Sequence, residues 1–324
     1  MVPKEYYGRL FTKEQLPVDY HSEAFTLESM IKVDKQLRCK RCYSWIEEDW
    51  QLPGGQYYCR ACIVFGRNQE GKELYYFPSK TSEIEFPVLK WLGELTPYQA
   101  EVSEKLLETY QKQKDSLVHA VTGAGKTEMI YNIVAYVLEN KGHVAIASPR
   151  VDVCRELFLR MQRAFTCSIS LLHAESEPYD GSPLVIATTH QLLKFYQNFD
   201  LVIVDEVDAF PFVGNVMLNH AVEQAKKETG RFIYLTATST LSLEEQVRLG
   251  AIEKHHLARR FHGNPLVLPK FCWQGRLQKF LMRGKLPRPL LYQIKKQRKS
   301  KFPLLIFFPN IAIGEKFTSI LQKY

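Results

Sequence analysis

An α/β fold, with a parallel sheet covered by helices on both faces and a small metal-stapled module ahead of it, is predicted by three observations. Short, nearly all-apolar runs alternate with helical patterns between residues 95 and 258, as in sheets buried on both faces. One of these runs opens into a glycine loop ending in Lys126-Thr127. Four of the seven cysteines stand upstream in two Cys-x-x-Cys pairs.

The first thirty residues carry scattered charges and no long apolar run, so no signal peptide is expected. No segment is apolar for long enough to span a bilayer. The expectation is a cytoplasmic protein, with any membrane association made through partners. Cys39-Lys-Arg-Cys42 and Cys59-Arg-Ala-Cys62 are separated by sixteen residues, with Pro53-Gly54-Gly55 marking a turn between them. Two such knuckles supply four thiolates to a tetrahedral, closed and therefore structural Zn²⁺ site. Redox thiols or two disulfides are the competing readings; tight spacing in both pairs and a reducing compartment favour metal. Tyr43, Trp45, Trp50, Tyr57 and Tyr58 stack on bases or, as small metal modules more often require, fill the core. Residues 63–94 read as a connection, broken by Phe77-Pro78 and Phe86-Pro87.

Leu95-Thr96-Pro97-Tyr98-Gln99 then opens a helix, with Thr96 as cap and Pro97 in the first turn. Gln99 carries a donor and an acceptor that can read an adenine edge, although a surface glutamine is the ordinary reading. The stretch Leu117–Ile130 follows. Gly123 and Gly125, flanking Ala124, let backbone N–H groups converge on phosphate, and the helix beginning near Lys126 adds its positive end. Lys126 reaches the β/γ-phosphates of ATP and the Thr127 hydroxyl holds Mg²⁺. Ala120 stands where the general pattern has glycine. Further apolar runs at 143–148, 168–173 and 184–187 complete the alternation. Leu201–Val204 runs into Asp205-Glu206-Val207-Asp208. Asp205 is placed to hold Mg²⁺ and Glu206 to polarise the attacking water. A strand over 231–238 ends in Thr236-Ala237-Thr238, whose hydroxyls can bridge the acids to another surface.

The net charge of +8 is regional. Lys254–Gly314 contains fourteen Lys/Arg and no acid, so the remainder of the chain carries −6. This favours a polyanion-facing segment over the alternative, a solvated basic face.

Taken together, Ala120–Thr127, Asp205–Asp208 and Thr236–Thr238 resemble motifs I, II and III of the superfamily 2 (DEAD/DEAH-like) helicases. Ser148-Pro149-Arg150 looks like motif Ia, and Ala187-Thr188-Thr189-His190-Gln191-Leu192 like motif Ib. The resemblance implies a RecA-like P-loop NTPase domain. It also implies nucleic-acid contacts at Pro149, Arg150, Thr188, Thr189 and His190, and coupling through Asp208, Thr236 and Thr238. The four-cysteine module in front is similar to the ComFA family of competence DNA-uptake helicases. That family implies an ATP-driven motor on single-stranded DNA, working with ComFC and a membrane DNA channel. A primosomal or repair helicase like PriA is the alternative, as is an ATP-gated zinc-ribbon scaffold for DNA. The expected domains are 1–85 with a zinc ribbon at 39–62, an ATPase domain at 86–258, and a basic segment beginning a second RecA-like domain at 259–324. Lys295, Lys296 and Arg298 are its expected phosphate contacts, and Trp273 and Phe280 its stacking candidates. Phe302–Phe308 resembles a motif IV strand. No Gln-x-x-Gly-Arg-x-Gly-Arg-like segment supplying an arginine finger follows, so a truncated second lobe and weak hydrolysis are expected.

Overall fold

A computed structural model describes residues 2–81, 84–263, 271–273, 277–300 and 302–324. The chain divides into two compact units, Met1–Pro265 and Leu266–Tyr324.

The first unit is built on seven parallel strands: β6 (Asp115–Ala120), β7 (Val144–Ser148), β8 (Ile169–Leu172), β9 (Leu184–Thr188), β10 (Phe199–Asp205), β11 (Lys226–Thr236) and β12 (Ile252–Leu257). Their spatial order is β12-β6-β11-β10-β7-β9-β8. The sheet is covered by α1 (Pro97–Gln111), α2 (Lys126–Met129), α3 (Tyr131–Glu139), α4 (Val151–Ala164), α5 (Val216–Ala225) and α6 (Leu241–Arg248). Leu201, Val202, Ile203 and Val204 are fully buried at its centre. Leu201 and Ile203 belong to the core under α1, α3 and α4. Val202 and Val204 belong to the core under α5. The period-2 alternation of side chains along a strand thus makes one apolar run serve both faces. Each such side chain contributes about 1.5–3 kcal/mol by leaving water.

Two expectations about local structure are corrected. The helix after the glycine loop, whose apolar spacing from Met129 to Leu138 predicts a continuous element ending near Gly142, is interrupted at Ile130. Residues 63–94 are more than a connection, because Glu73–Tyr76 forms strand β5. It lies between β1 (Leu10–Thr12) and β2 (Phe25–Glu28), antiparallel to both, in a separate three-stranded sheet. This sheet escapes a short-range reading because its strands come from opposite sides of the cysteine module. A hairpin of β3 (Met30–Val33) and β4 (Gln36–Cys39) leads into the first knuckle.

The second unit contains α7 (Leu277–Met282), α8 (Arg288–Arg298) and α9 (Ile311–Leu321). Leu281, Leu286, Ile294, Phe317 and Ile320 are buried together. The strand expected over Phe302–Phe308 is not formed: Pro303–Phe308 joins no ladder among the described residues. An apolar, β-prone run becomes a strand only beside a partner. Phe308 instead packs on Phe317, ring centroids 4.9 Å apart. Among the described residues no helix is long and apolar enough to cross a membrane.

Candidate ATP and nucleic-acid site

The predicted nucleotide residues converge at the carboxyl ends of β6, β10 and β11, where ligands of open parallel sheets bind. These strands are neighbours, although β6 and β10 lie far apart in sequence. Gly123 and Gly125 both have φ +78°, a left-handed conformation that glycine adopts without steric cost. A Cβ at Gly125 would lie 2.3 Å from Gln99 Nε2. The glycine is therefore required for two reasons, backbone angle and space. Lys126 Nζ donates to Ala120 O at 3.3 Å, which places the cation within the loop. Thr127 follows in the first turn of α2.

Gln99 is buried and braces this loop. Its Oε1 accepts from Thr96 N at 2.9 Å and from Thr96 Oγ1 at 2.9 Å, and its Nε2 donates to Ala124 O at 2.8 Å. The side chain is thus a strut between the helix cap and the phosphate loop. Beside it lies a cleft of about 340 Å³ lined by Tyr98, Gln99, Ala124, Arg259, Arg260 and Phe261. Phe261 N donates to Gly123 O at 2.9 Å. The Arg259 guanidinium sits 5.1 Å from the centre of the Tyr98 ring. Sequence reasoning did not foresee the 259–261 strap; its only signal is the start of the acid-free stretch.

Asp205 ends β10 and accepts the Glu206 N–H at 2.9 Å. Burial pushes its carboxyl up to about 6, while nearby Lys126 pulls the other way. A half-buried carboxylate near a cation is suited to take a divalent metal, which would supply further positive charge. Glu206 holds φ +55°, unusual for a non-glycine residue and of the kind found at functional turns. Asp208 Oδ1 accepts from Thr236 Oγ1 at 2.6 Å, and Thr238 Oγ1 donates to Asp208 Oδ2. Burial raises the Asp208 carboxyl, but these two hydroxyls outweigh it and hold the group below the usual carboxylate range. The three expected coupling residues therefore form one network across β10 and β11.

The expected nucleic-acid contacts are distributed unevenly. Pro149 and Arg150 follow the carboxyl end of β7, with Arg150 exposed. Thr188 and Thr189 are buried, and their neighbour His190 is half-buried, with burial lowering its imidazole pKa. Among these residues of the first unit, the exposed side chain is that of Arg150. Lys295, Lys296 and Arg298 lie exposed on α8 of the second unit. There Trp273 and Phe280 line a cleft of about 650 Å³ with Arg288 and Tyr324.

Cys39, Cys42, Cys59 and Cys62 are fully buried, with all four Sγ atoms within 4.8 Å of one another. The Cys39–Cys62 and Cys42–Cys59 Sγ distances are 3.7 and 3.5 Å. Zn–S bonds of ~2.3 Å in a tetrahedron require sulfurs at about this separation, so the donor set fits zinc. Asn68 Nδ2 donates to Cys39 Sγ at 3.1 Å. The module docks on α5: Tyr43 stacks on His220 with centroids 4.8 Å apart, and the His220 ring bonds Lys40 O at 3.0 Å.

The DEAD/DEAH box helicase family pattern matches residues 96–246, which span the site from the Gln99 strut to the Thr236–Thr238 network. The competence protein ComFA of Streptococcus pneumoniae is 54% identical over 98% of this chain and 74% of its own length. ComFA of Bacillus subtilis is 34% identical over 94% of this chain and 68% of its own. The replication restart protein PriA of Bacillus subtilis is 23% identical over 54% of this chain and 24% of its own. Among solved structures, the Pyrococcus furiosus Hef helicase domain overlaps 49% of this chain and 37% of its own, with TM-score 0.40 and 21% identity. With the two ComFA proteins matched over nearly all of this chain and more than two thirds of their own lengths, the chain belongs to the ComFA family of competence proteins and carries a DEAD/DEAH box helicase domain.

Proposed function

We propose that this chain is the ATP-binding part of a motor that acts on single-stranded DNA during DNA uptake in competence, with ComFC and the membrane DNA channel as its partners. The observation that carries the motor reading is the convergence of Lys126, Asp205 and the Asp208–Thr236–Thr238 network at the carboxyl ends of the adjacent strands β6, β11 and β10. The loop N–H groups and Lys126 hold the β/γ-phosphates. Thr127 and Asp205 hold Mg²⁺, which when bound offsets phosphate charge. Glu206 orients and polarises the water that attacks the γ-phosphate. Asp208, bonded to both threonines, ties the end of β10 to that of β11, so movement at one acid is felt at the next strand. Gln99 fixes the loop and so supports the base-side cleft indirectly.

Single-stranded DNA is favoured as substrate by the competence names of the relatives and by the exposed cations at Arg150, Lys295, Lys296 and Arg298. A primosomal role is less well supported, since the match reaches 24% of that protein's length. Binding of a fluorescent oligo-dT tests the reading when titrated with and without Mg-ATP. Affinity that changes with nucleotide in the native chain but not in Lys126→Ala supports a coupled motor. Affinity indifferent to nucleotide in both supports a passive scaffold instead.

A further inference from the structure

Sharing no lining residue with the cleft beside Gln99, a groove of about 720 Å³ lies between the 12–15 turn on one wall and the 66–73 segment on the other. Lys13 comes from the first wall, Arg67 and Lys72 from the second. All three are exposed, and among the described residues none of them is in an ion pair. Two acids share the lining, Glu14 and Glu73. Glu73 accepts the Thr26 hydroxyl at 3.1 Å. The Glu14 carboxyl is held below its usual range, first by its own backbone N–H and also by Lys72 and Arg67.

The second wall is tied to the cysteine module at Gly66 and Asn68, and to Ser29 at Asn68, Gln69 and Lys72. The buried Arg41, between two metal-ligand cysteines, donates from Nη1 to Gly66 O at 2.8 Å. Cys59 N donates to Asn68 O at 2.9 Å. Asn68 Nδ2 bonds both Ser29 O at 2.8 Å and Cys39 Sγ at 3.1 Å. The Ser29 hydroxyl donates to Gln69 O, and Ser29 N to Lys72 O at 3.2 Å. Gly66, at φ +99°, turns the chain closely against Gln15 of the opposite wall.

We infer that this groove is a second binding site for single-stranded nucleic acid, shaped by the metal module and independent of the ATP cleft. The inference rests on the nucleic-acid reading of the proposed function. Three exposed cations on two walls, none in a direct ion pair among the described residues and outnumbering the two acids of the lining, suit a chain of phosphates better than a single anion. The amide side chains Gln15, Asn68 and Gln69 complete a polar lining that lacks the exposed aromatic or aliphatic anchors on which protein partners depend. The zinc site acts here through shape: four bound thiolates fix Cys39 and Cys59, these fix Asn68, and Asn68 holds the wall that presents Arg67 and Lys72.

The test is fluorescence anisotropy of labelled oligo-dT on the full, zinc-loaded chain at several salt concentrations. Arg67→Gln with Lys72→Gln should weaken binding about tenfold and reduce the salt slope by about 1 to 1.5, as expected for two lost phosphate contacts. Zinc content and melting temperature should be unchanged, and Arg67→Lys with Lys72→Arg should retain binding. Removing zinc with a chelator should cause a similar loss. Native-like affinity and slope in the Gln double variant overturn the inference while leaving the motor reading intact. So does equal loss in the charge-keeping pair, since it assigns the effect to packing. Failure of the native chain itself to bind oligo-dT overturns the nucleic-acid reading, and this inference with it.

Discussion

Arg150 Nη1 stands 3.7 Å from Glu206 Oε2, while Nη2 of the same guanidinium holds Asp152 Oδ2 at 2.6 Å. One half-exposed cation is thus shared between a surface acid and the acid assigned to water activation. On the proposed function, a nucleic-acid phosphate arriving at Arg150 would compete for the same N–H groups and so would link strand binding to the charge around Glu206. Arg150→Ala is expected to weaken oligo-dT binding about tenfold, the loss of one charge-assisted hydrogen bond, and to lower the stimulation of ATP hydrolysis by DNA. Retention of full stimulation would show that Arg150 plays no part in coupling.

Glu206→Gln keeps the size of the side chain and removes its charge. It should lower the turnover of ATP by roughly 10²–10⁴-fold, the usual contribution of a positioned acid–base group, while Mg-ATP binding by calorimetry stays near the native value. A loss of binding with unchanged turnover would assign Glu206 to substrate holding instead.

Gly125→Ala tests the loop geometry. The added methyl meets Gln99 Nε2 at a backbone φ of +78°, so it opposes the Gln99–Ala124 strut and the angle together. Strain on the order of 1–3 kcal/mol is expected, with nucleotide binding lost before the fold. The readout is fluorescent ATP binding alongside the melting temperature; normal affinity would contradict the strut.

His143 gives the fold a pH dependence. It is buried before β7, with its backbone N–H donating to Asp200 Oδ2 at 2.8 Å. Burial pushes its imidazole down to about 4, Lys227 adds to this and Asp200 opposes it. The neutral ring is the folded form, so stability is full above pH 6.5. As pH falls from 6.5 toward about 4 the unfolded chain takes up a proton that the folded chain refuses. The loss should approach about 3 kcal/mol. Asp205, whose carboxyl is raised to about 6, acts in the opposite sense over the same range, so the His143 contribution is read as the difference in urea stability between the native chain and His143→Gln from pH 7 to 4.

The convergence of the candidate ATP-site residues was legible in the sequence because each motif is local. Lys126 follows its glycine loop, and Asp205 and Thr236 close apolar strands that any parallel sheet must align. The zinc site was legible for the same reason, two knuckles with fixed spacing. What escaped depends on contacts between distant segments: β5 pairing with β1 and β2, His220 under Tyr43, and the Arg259–Phe261 strap over Gly123. Phe302–Phe308 shows the converse. Its composition is that of a strand, but composition supplies no partner to pair with.

The most direct measurement is steady-state ATP hydrolysis by this chain with and without single-stranded DNA, with Lys126→Ala as the blank. The account predicts a low rate that rises with DNA and vanishes in the variant. A rate indifferent to DNA, or one that survives Lys126→Ala, would contradict a DNA-coupled site built on Lys126, Asp205 and Glu206.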